Sequence, residues 1–254
     1  MNVYQALTYE TLRLTLGPPI AAMLRMKGEG QEHVPREGGA LIVSNHRNPF
    51  IDPASIAYMV ERPINFIAAS VAFTIPGLSH LFRSVGAKPI DVLGGEKSKE
   101  GLSTAGELLK EGELVGVFPE GVHTIAHPHS VAKIRNFRTG FARIALQARA
   151  PIIPVAVIGR GERNLPTVPP WLVKPFFDHP EFQDGVHWTY YRRVFVRIGK
   201  PLDLSGLYDE ETTKELIDQL SGKVRRVIIK LYNGEDLDRF LTGELPFDIA
   251  YDRV

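Results

Sequence analysis

Within Ser44–Pro53, "SNHRNPFIDP", a histidine, His46, and an aspartate, Asp52, stand six residues apart. Histidine titrates near neutral pH and is the usual side chain for taking a proton from a hydroxyl. A carboxylate on its other ring nitrogen fixes the tautomer and stabilises the imidazolium that forms. On a continuous α-helix, residues six apart lie about 120° from each other around the axis and share no face. This stretch is not one helix. Pro49 disfavours helical geometry at Asn48, and Asp52-Pro53 reads as a helix start, with Asp52 as N-cap and Pro53 at the first helical position. His46 then occupies the loop leaving a strand, and the loop can fold Asp52 back onto the imidazole. The same residues also suit a polar surface turn beside a capping aspartate, and the spacing alone leaves both readings open.

A second constellation is "FPEGVHT" (Phe118–Thr124). An apolar strand delivers Glu120 and Gly121 at its carboxyl end, where open α/β sheets bind ligands. Gly121 lets the backbone approach closely, and a glutamate there suits recognition of a hydroxyl-bearing substrate. A third piece, "KIRNFRTGFARIAL", places Lys133, Arg135 and Arg138 before a glycine and a helix. Cations there suit an anion site or a solvated basic loop. His123, His127 and His129 have the residue type of zinc ligands. Proline lies within the segment and the helical i, i+4 context of the zinc proteases is lacking, so no metal is expected. The "GRG" at Gly159–Gly161 lacks the third glycine of a dinucleotide fingerprint and reads as a loop.

These pieces must be positioned by a fold. The 254 residues are 44% apolar and 23% charged, as in folded proteins. The net charge of +1 excludes a polybasic nucleic-acid binder. The absence of cysteine excludes a thiolate nucleophile, a disulfide framework and cysteine metal ligands. Strand and helix patterns alternate, which predicts a single α/β domain with a mostly parallel sheet flanked by helices. Strands are predicted at residues 40–44, 65–69, 88–91, 114–118, 151–158 and 194–198, with Pro154 suggesting an edge or a bulge. Helices are predicted from Asp52 and over 75–85, 96–110, 141–149 and 210–231. Pro166–Phe177 reads as a proline- and aromatic-rich loop.

No stretch is long and apolar enough to span a bilayer. In Met1–Leu16, Val3, Leu7 and Leu14 fall near one helical face with Tyr4, Leu12 and Leu16 beside it. Ile20–Met26 adds an apolar turn beyond Gly17-Pro18-Pro19. Residues 1–30 thus read as an interfacial helical segment, either packed on the domain or lying on a membrane surface, ahead of a domain over 31–254.

Four pieces now stand in order: Asn45, His46 and Asp52; "GAKPIDV" (Gly86–Val92); Phe118–Gly121; and the proline-bearing apolar strand Pro151–Val157. Together they resemble the four blocks of the glycerolipid acyltransferases, the relatives of 1-acylglycerol-3-phosphate acyltransferase. "NFRTG" (Asn136–Gly140) matches that family's aromatic–basic–x–Gly step. The resemblance runs from about Gly38 to Gly199, and Phe-Pro-Glu-Gly with the block order carries most of its specificity. It implies acyl transfer from a thioester, acyl-coenzyme A or acyl carrier protein, to the hydroxyl of a lysophospholipid, with 1-acylglycerol-3-phosphate as the default acceptor. The thioester is a co-substrate, and no resident cofactor is implied. His46 becomes the general base and Asp52 its orienting partner. Asn45, Arg47, Glu120, Gly121, Lys133, Arg135 and Arg138 become acceptor-site residues. The implied location is the cytoplasmic face of a membrane, peripheral or monotopic.

Two features depart from the family pattern. Five residues separate His46 from Asp52, where four are commonest. Val92 and His123 occupy positions that are often basic in the family and hold the acceptor's phosphate there. Arg47, Lys88, Lys133, Arg135 and Arg138 are the candidate replacements. A lipid-binding protein of the same fold without turnover is therefore the second reading, and a non-phosphate acceptor the third.

Overall fold

The computed structural model describes residues 1–91, 96–121, 134–175, 183–186 and 189–235. Its centre is a seven-stranded sheet. In chain order the strands are β1 (Lys27–Glu29), β2 (Ala40–Ser44), β3 (Ile64–Ala69), β4 (Lys88–Ile90), β5 (Leu114–Val117), β6 (Ile152–Arg160) and β9 (Arg193–Ile198). A separate two-stranded ribbon pairs β7 (Arg163–Asn164) with β8 (Thr189–Tyr190). The order across the large sheet is β1-β9-β6-β2-β5-β3-β4. β6, β2, β5, β3 and β4 are parallel. β9 runs antiparallel to β6, and β1 follows β9.

Central parallel strands are covered on both faces and must be apolar throughout. β2, "ALIVS", and β5, "LVGV", are apolar but for Ser44 at the end of β2, and every one of their residues is buried. On one face pack α4 (Glu96–Lys110), α5 (Gly140–Gln147) and α7 (Lys214–Asn233), against Leu41, Val43, Val115 and Ala156. On the other lie α1 (Val3–Met23) and α2 (Ile51–Met59), beside a core that holds Leu24, Ile42, Ile56 and Val155. α3 (Leu78–Ser84) and the four-residue α6 (Pro170–Val173) complete the helices of the described residues. Among these residues no helix is long and apolar enough to cross a membrane.

Four expectations need correction. Pro154 lies in a central strand, between β2 and β9. The β9 ladder starts only at Val155, and the Pro154 carbonyl accepts from Gly199 N–H just where β9 ends. The missing proline N–H therefore falls in a gap of the pairing. Gly159 and Arg160 belong to β6, not to a loop. A Cβ at Gly159 would meet the Tyr191 ring at 2.4 Å, so the glycine makes room for that buried ring. α7 starts at Lys214, not at Glu210, because Thr213 caps it by accepting from Leu216 N–H at 3.2 Å. The segment read as a loop over Pro166–Phe177 contains α6, and Phe176 and Phe177 lie outside the described residues.

α1 continues through Gly17, Pro18 and Pro19. The prolines withdraw their N–H groups from the carbonyls of Leu14 and Thr15, both exposed residues. Gly17 faces inward: a Cβ there would meet Tyr58 of α2 at 2.4 Å. The outer face of α1 carries exposed Val3, Tyr4, Leu7 and Leu14. Between them Thr8, Thr11 and Thr15 donate their hydroxyls to carbonyls one turn back. Its two charged residues, Glu10 and Arg13, pair with each other at 2.8 Å.

The register sets Val43 opposite Val117, so the loops after β2 and β5 emerge side by side at one end of the sheet. A side chain extends the ladder there. Asn45 donates to the Val157 carbonyl and accepts from Val157 N–H, each at 2.9 Å, while 1% exposed. Replacing Asn45 by alanine would leave both Val157 groups buried and unpaired, at about 1–3 kcal/mol each. Asn45→Ala is expected to lower unfolding stability by roughly 2–6 kcal/mol, read from the urea midpoint.

Candidate active site

The β2–α2 loop is organised by one carboxylate. Asp52 Oδ2 accepts from the backbone N–H of Arg47 at 2.7 Å and of Asn48 at 2.8 Å. The same oxygen lies 3.2 Å from His46 Nδ1. Asp52 is 1% exposed, so these donors stand in for water. Its negative charge also sits in the first turn of α2, where the helix dipole favours it.

The cap is elsewhere than expected. α2 starts at Ile51, which makes Asp52 its second residue and Pro53 its third, and no side chain of the N-cap residue, Phe50, caps it. Asn48 takes that part, accepting from Phe50 N–H and Ile51 N–H at 3.0 and 2.8 Å. The first-turn N–H groups are orphans that some side chain must satisfy. Asn48 satisfies two, which frees Asp52 to reach back to His46. Asn48 also donates to the Thr189 carbonyl at 2.6 Å, tying the loop to β8.

With Nδ1 directed at Asp52, His46 Nε2 has no hydrogen-bond partner among the described residues. The imidazole stacks on Phe118 at 4.1 Å between centroids, 23° from coplanar. A ring held on one face by an aromatic and at one nitrogen by a carboxylate has little freedom left.

Glu120 is 7% exposed and faces the protein's own backbone. Oε1 accepts from His46 N–H at 2.8 Å and Oε2 from Arg135 N–H at 2.9 Å. Burial pushes its carboxyl above the usual range, and the two N–H groups oppose that. Tyr191, buried beside this loop, is pushed up by burial first and by the Asp52 charge next.

The structure thus gathers His46, Asp52, Glu120 and Asn45 at one end of the sheet. Asn45 and Glu120, expected at the acceptor, have their polar atoms engaged by backbone groups of Val157, His46 and Arg135. Arg47 forms a two-pronged pair with Glu162, both contacts at 3.2 Å. Arg135 reaches the site through its backbone N–H. Gly121 has φ +76°, and a Cβ there would meet the Arg138 guanidinium at 3.1 Å, so Arg138 lies against the Phe-Pro-Glu-Gly corner. The Arg138 N–H also donates to Pro119 O at 2.9 Å. Lys133, Val92, His123, His127 and His129 lie outside the described residues.

Sequence reasoning gave no role to Asn48, Phe118 or Glu162. Asn48 carried a signal, since Asn-Pro favours a turn closed by the asparagine side chain. Glu162 carried none, because 115 residues separate it from Arg47.

Known proteins resemble this chain in sequence and in fold. A family model described as Acyltransferase matches residues 25–158. An uncharacterized protein of Mycobacterium bovis is 32% identical over 147 residues, 54% of this chain and 38% of its own length. The 1-acyl-sn-glycerol-3-phosphate acyltransferase of Bacillus subtilis is 26% identical over 135 residues, 53% of this chain and 63% of its own. The chain thus matches less than two thirds of the length of either relative. In fold, it is similar to the crystal structure of the 1-acyl-sn-glycerophosphate acyltransferase PlsC from Thermotoga maritima. The TM-score is 0.54 at 20% identity, covering 93% of this chain and 84% of that one. With the family model spanning residues 25–158 of 254, the chain belongs to the acyltransferase family that includes the 1-acylglycerol-3-phosphate acyltransferases.

Proposed function

We propose that the chain transfers a fatty acyl group from a thioester, acyl-coenzyme A or acyl carrier protein, to the hydroxyl of a lysophospholipid, with 1-acylglycerol-3-phosphate as the acceptor. The observation that carries this reading is the His46 Nδ1–Asp52 contact, which leaves Nε2 without a partner among the described residues. Asp52 holds the proton on Nδ1, so Nε2 is the basic nitrogen. The acceptor hydroxyl gives its proton to Nε2 as its oxygen attacks the thioester carbonyl. The tetrahedral intermediate collapses, the carbon–sulfur bond breaks, and the Nε2 proton leaves with the thiol. No acyl-enzyme is required, which suits a chain without cysteine.

The acceptor's phosphate needs cations. Arg138, beside the Phe-Pro-Glu-Gly corner, is the best-placed candidate on this reading, with Arg47, Arg135 and Lys133 behind it. Residues 1–30 are read as the segment that contacts the membrane, because the outer face of α1 is apolar and uncharged. A lipid-binding protein without turnover is the second reading, motivated by Val92 and His123 where the family is often basic.

Thiol release from an acyl thioester with lysophosphatidate present is the direct assay. His46→Ala and Asp52→Asn are each expected to lower acceptor-dependent turnover by roughly 10²–10⁴-fold, with the folded circular dichroism spectrum retained. Lipid binding without thiol release would support the second reading instead, and release without acceptor would indicate a hydrolase. In an acceptor panel, Arg138→Gln is expected to raise KM for phosphorylated acceptors and to leave monoacylglycerol unaffected.

Glu120 has a pH consequence. Its folded carboxyl keeps its proton to higher pH than the unfolded one. The stability this proton linkage contributes is complete below the ordinary carboxylate range and declines as pH rises through the raised value. Glu120→Gln does not titrate there. The stability of the parent relative to Glu120→Gln should therefore fall as pH rises from mildly acidic to neutral, read from urea midpoints along the series.

A further inference from the structure

Two adjoining cavities, of about 550 and about 640 Å³, lie along the β6–β9–β1 edge of the sheet and share Arg25, Arg160 and Arg193. Neither is lined by His46. The register explains the clustering. Arg160 pairs directly with Arg193 across β6 and β9, and Lys27 pairs with Phe195 across β1 and β9, which puts Arg25 level with Arg193. Arg163 and Arg192 extend the row toward β7 and β8. Gly161, at φ +66°, lets the Arg192 stem pass within 3.2 Å of the position a Cβ would take.

These six cations lack countercharge. Among the described residues, none of Arg25, Lys27, Arg160, Arg163, Arg192 and Arg193 has a side-chain hydrogen bond or ion pair. The nearby carboxylates are engaged elsewhere: Glu162 by Arg47, and Glu29 by Arg197 at 2.7 Å. Clustered like charges repel one another unless anions gather among them. Arginine forks match the oxygens of a phosphate. Two exposed apolar side chains line the second cavity with the arginines, Met23 at 60% exposure and Leu165 at 49%. Met23 ends α1, so the C-terminal end of that helix lies beside the arginines. A soluble phosphate ester has no use for exposed apolar side chains around it. A phospholipid surface offers phosphates and hydrocarbon at adjacent depths.

We propose that this groove docks the phosphate headgroups of anionic phospholipids, with Met23 and Leu165 entering the hydrocarbon beside them. The inference rests on the membrane-surface reading of α1 and adds to it a lipid preference and a place for the headgroups.

The test is co-sedimentation of the full chain with vesicles of phosphatidylcholine alone, or of phosphatidylcholine with one third phosphatidylglycerol. The parent should bind the mixed vesicles more tightly and lose that margin at high salt. Arg160→Gln with Arg193→Gln should weaken binding to mixed vesicles about 25-fold, at about fivefold per charge, and leave binding to pure phosphatidylcholine unchanged. Arg25→Gln with Arg163→Gln, at the two ends of the row, should act in the same direction and stands in should the first pair fail to fold. Parent-like binding of a folded pair to mixed vesicles overturns the proposal. So does unchanged vesicle binding accompanied by a raised KM for acyl-coenzyme A, which would assign the groove to the donor's phosphates. A parent that binds neither vesicle sinks the membrane reading itself, whatever its thiol-release activity.

Discussion

One buried oxygen, Asp52 Oδ2, meets three donors' worth of demand: the N–H groups of Arg47 and Asn48 and the Nδ1 side of His46. A carboxylate with 1% exposure is stable as an anion only where hydrogen bonds replace lost water. The loop that supplies those bonds is therefore folded around the charge, and the histidine is placed by the same act. The extra residue between His46 and Asp52 is accommodated in this wrapping, since the backbone of 47 and 48 turns inward while the imidazole still reaches the carboxylate.

A second carboxylate repeats the logic from the neighbouring strand. Glu120 joins His46 N–H to Arg135 N–H and so clasps two loops that are far apart in sequence. Polar side chains in a ligand-binding corner invite assignment to the ligand. Here the amide of Asn45 and the carboxylate of Glu120 serve the backbone, while the aromatic Phe118 supports the imidazole. The division is physically sensible. A base that must accept a proton needs its own orientation fixed before any substrate arrives.

Much of the scaffold was legible in the sequence because periodicity reports burial directly. The run 96–110 reads as a helix with its observed limits, and the apolar-rich runs 40–44 and 114–118 read as buried strands, the second ending one residue early at Val117. The errors arose where a residue answers to a distant neighbour. Pro154 looks like an edge residue until the gap at the end of β9 is seen. Gly159 looks like a loop residue until Tyr191 is laid over it. The helix start at α2 went to the wrong cap because Asp52 and Asn48 both have the chemistry, and only the fold decides which one turns back. The His46–Asp52 pair itself was legible because its partners lie only six residues apart, on a loop and the first turn of the helix after it. The arginine row was not, since Arg160, Arg163 and Arg193 come from three strands and Arg25 and Arg192 from the turns beside them, and strand pairing brings them together.

Gly17 of α1 lies against the Tyr58 ring of α2, the helix whose first turn bears Asp52. α1 and the helix that follows the His46 loop thus pack together at this ring. On the membrane reading, the depth at which α1 settles sets the height of the imidazole above the lipid. An acceptor anchored by its single chain must then bring its hydroxyl to a level chosen by the protein, so selectivity for lipid geometry would begin before any pocket is entered.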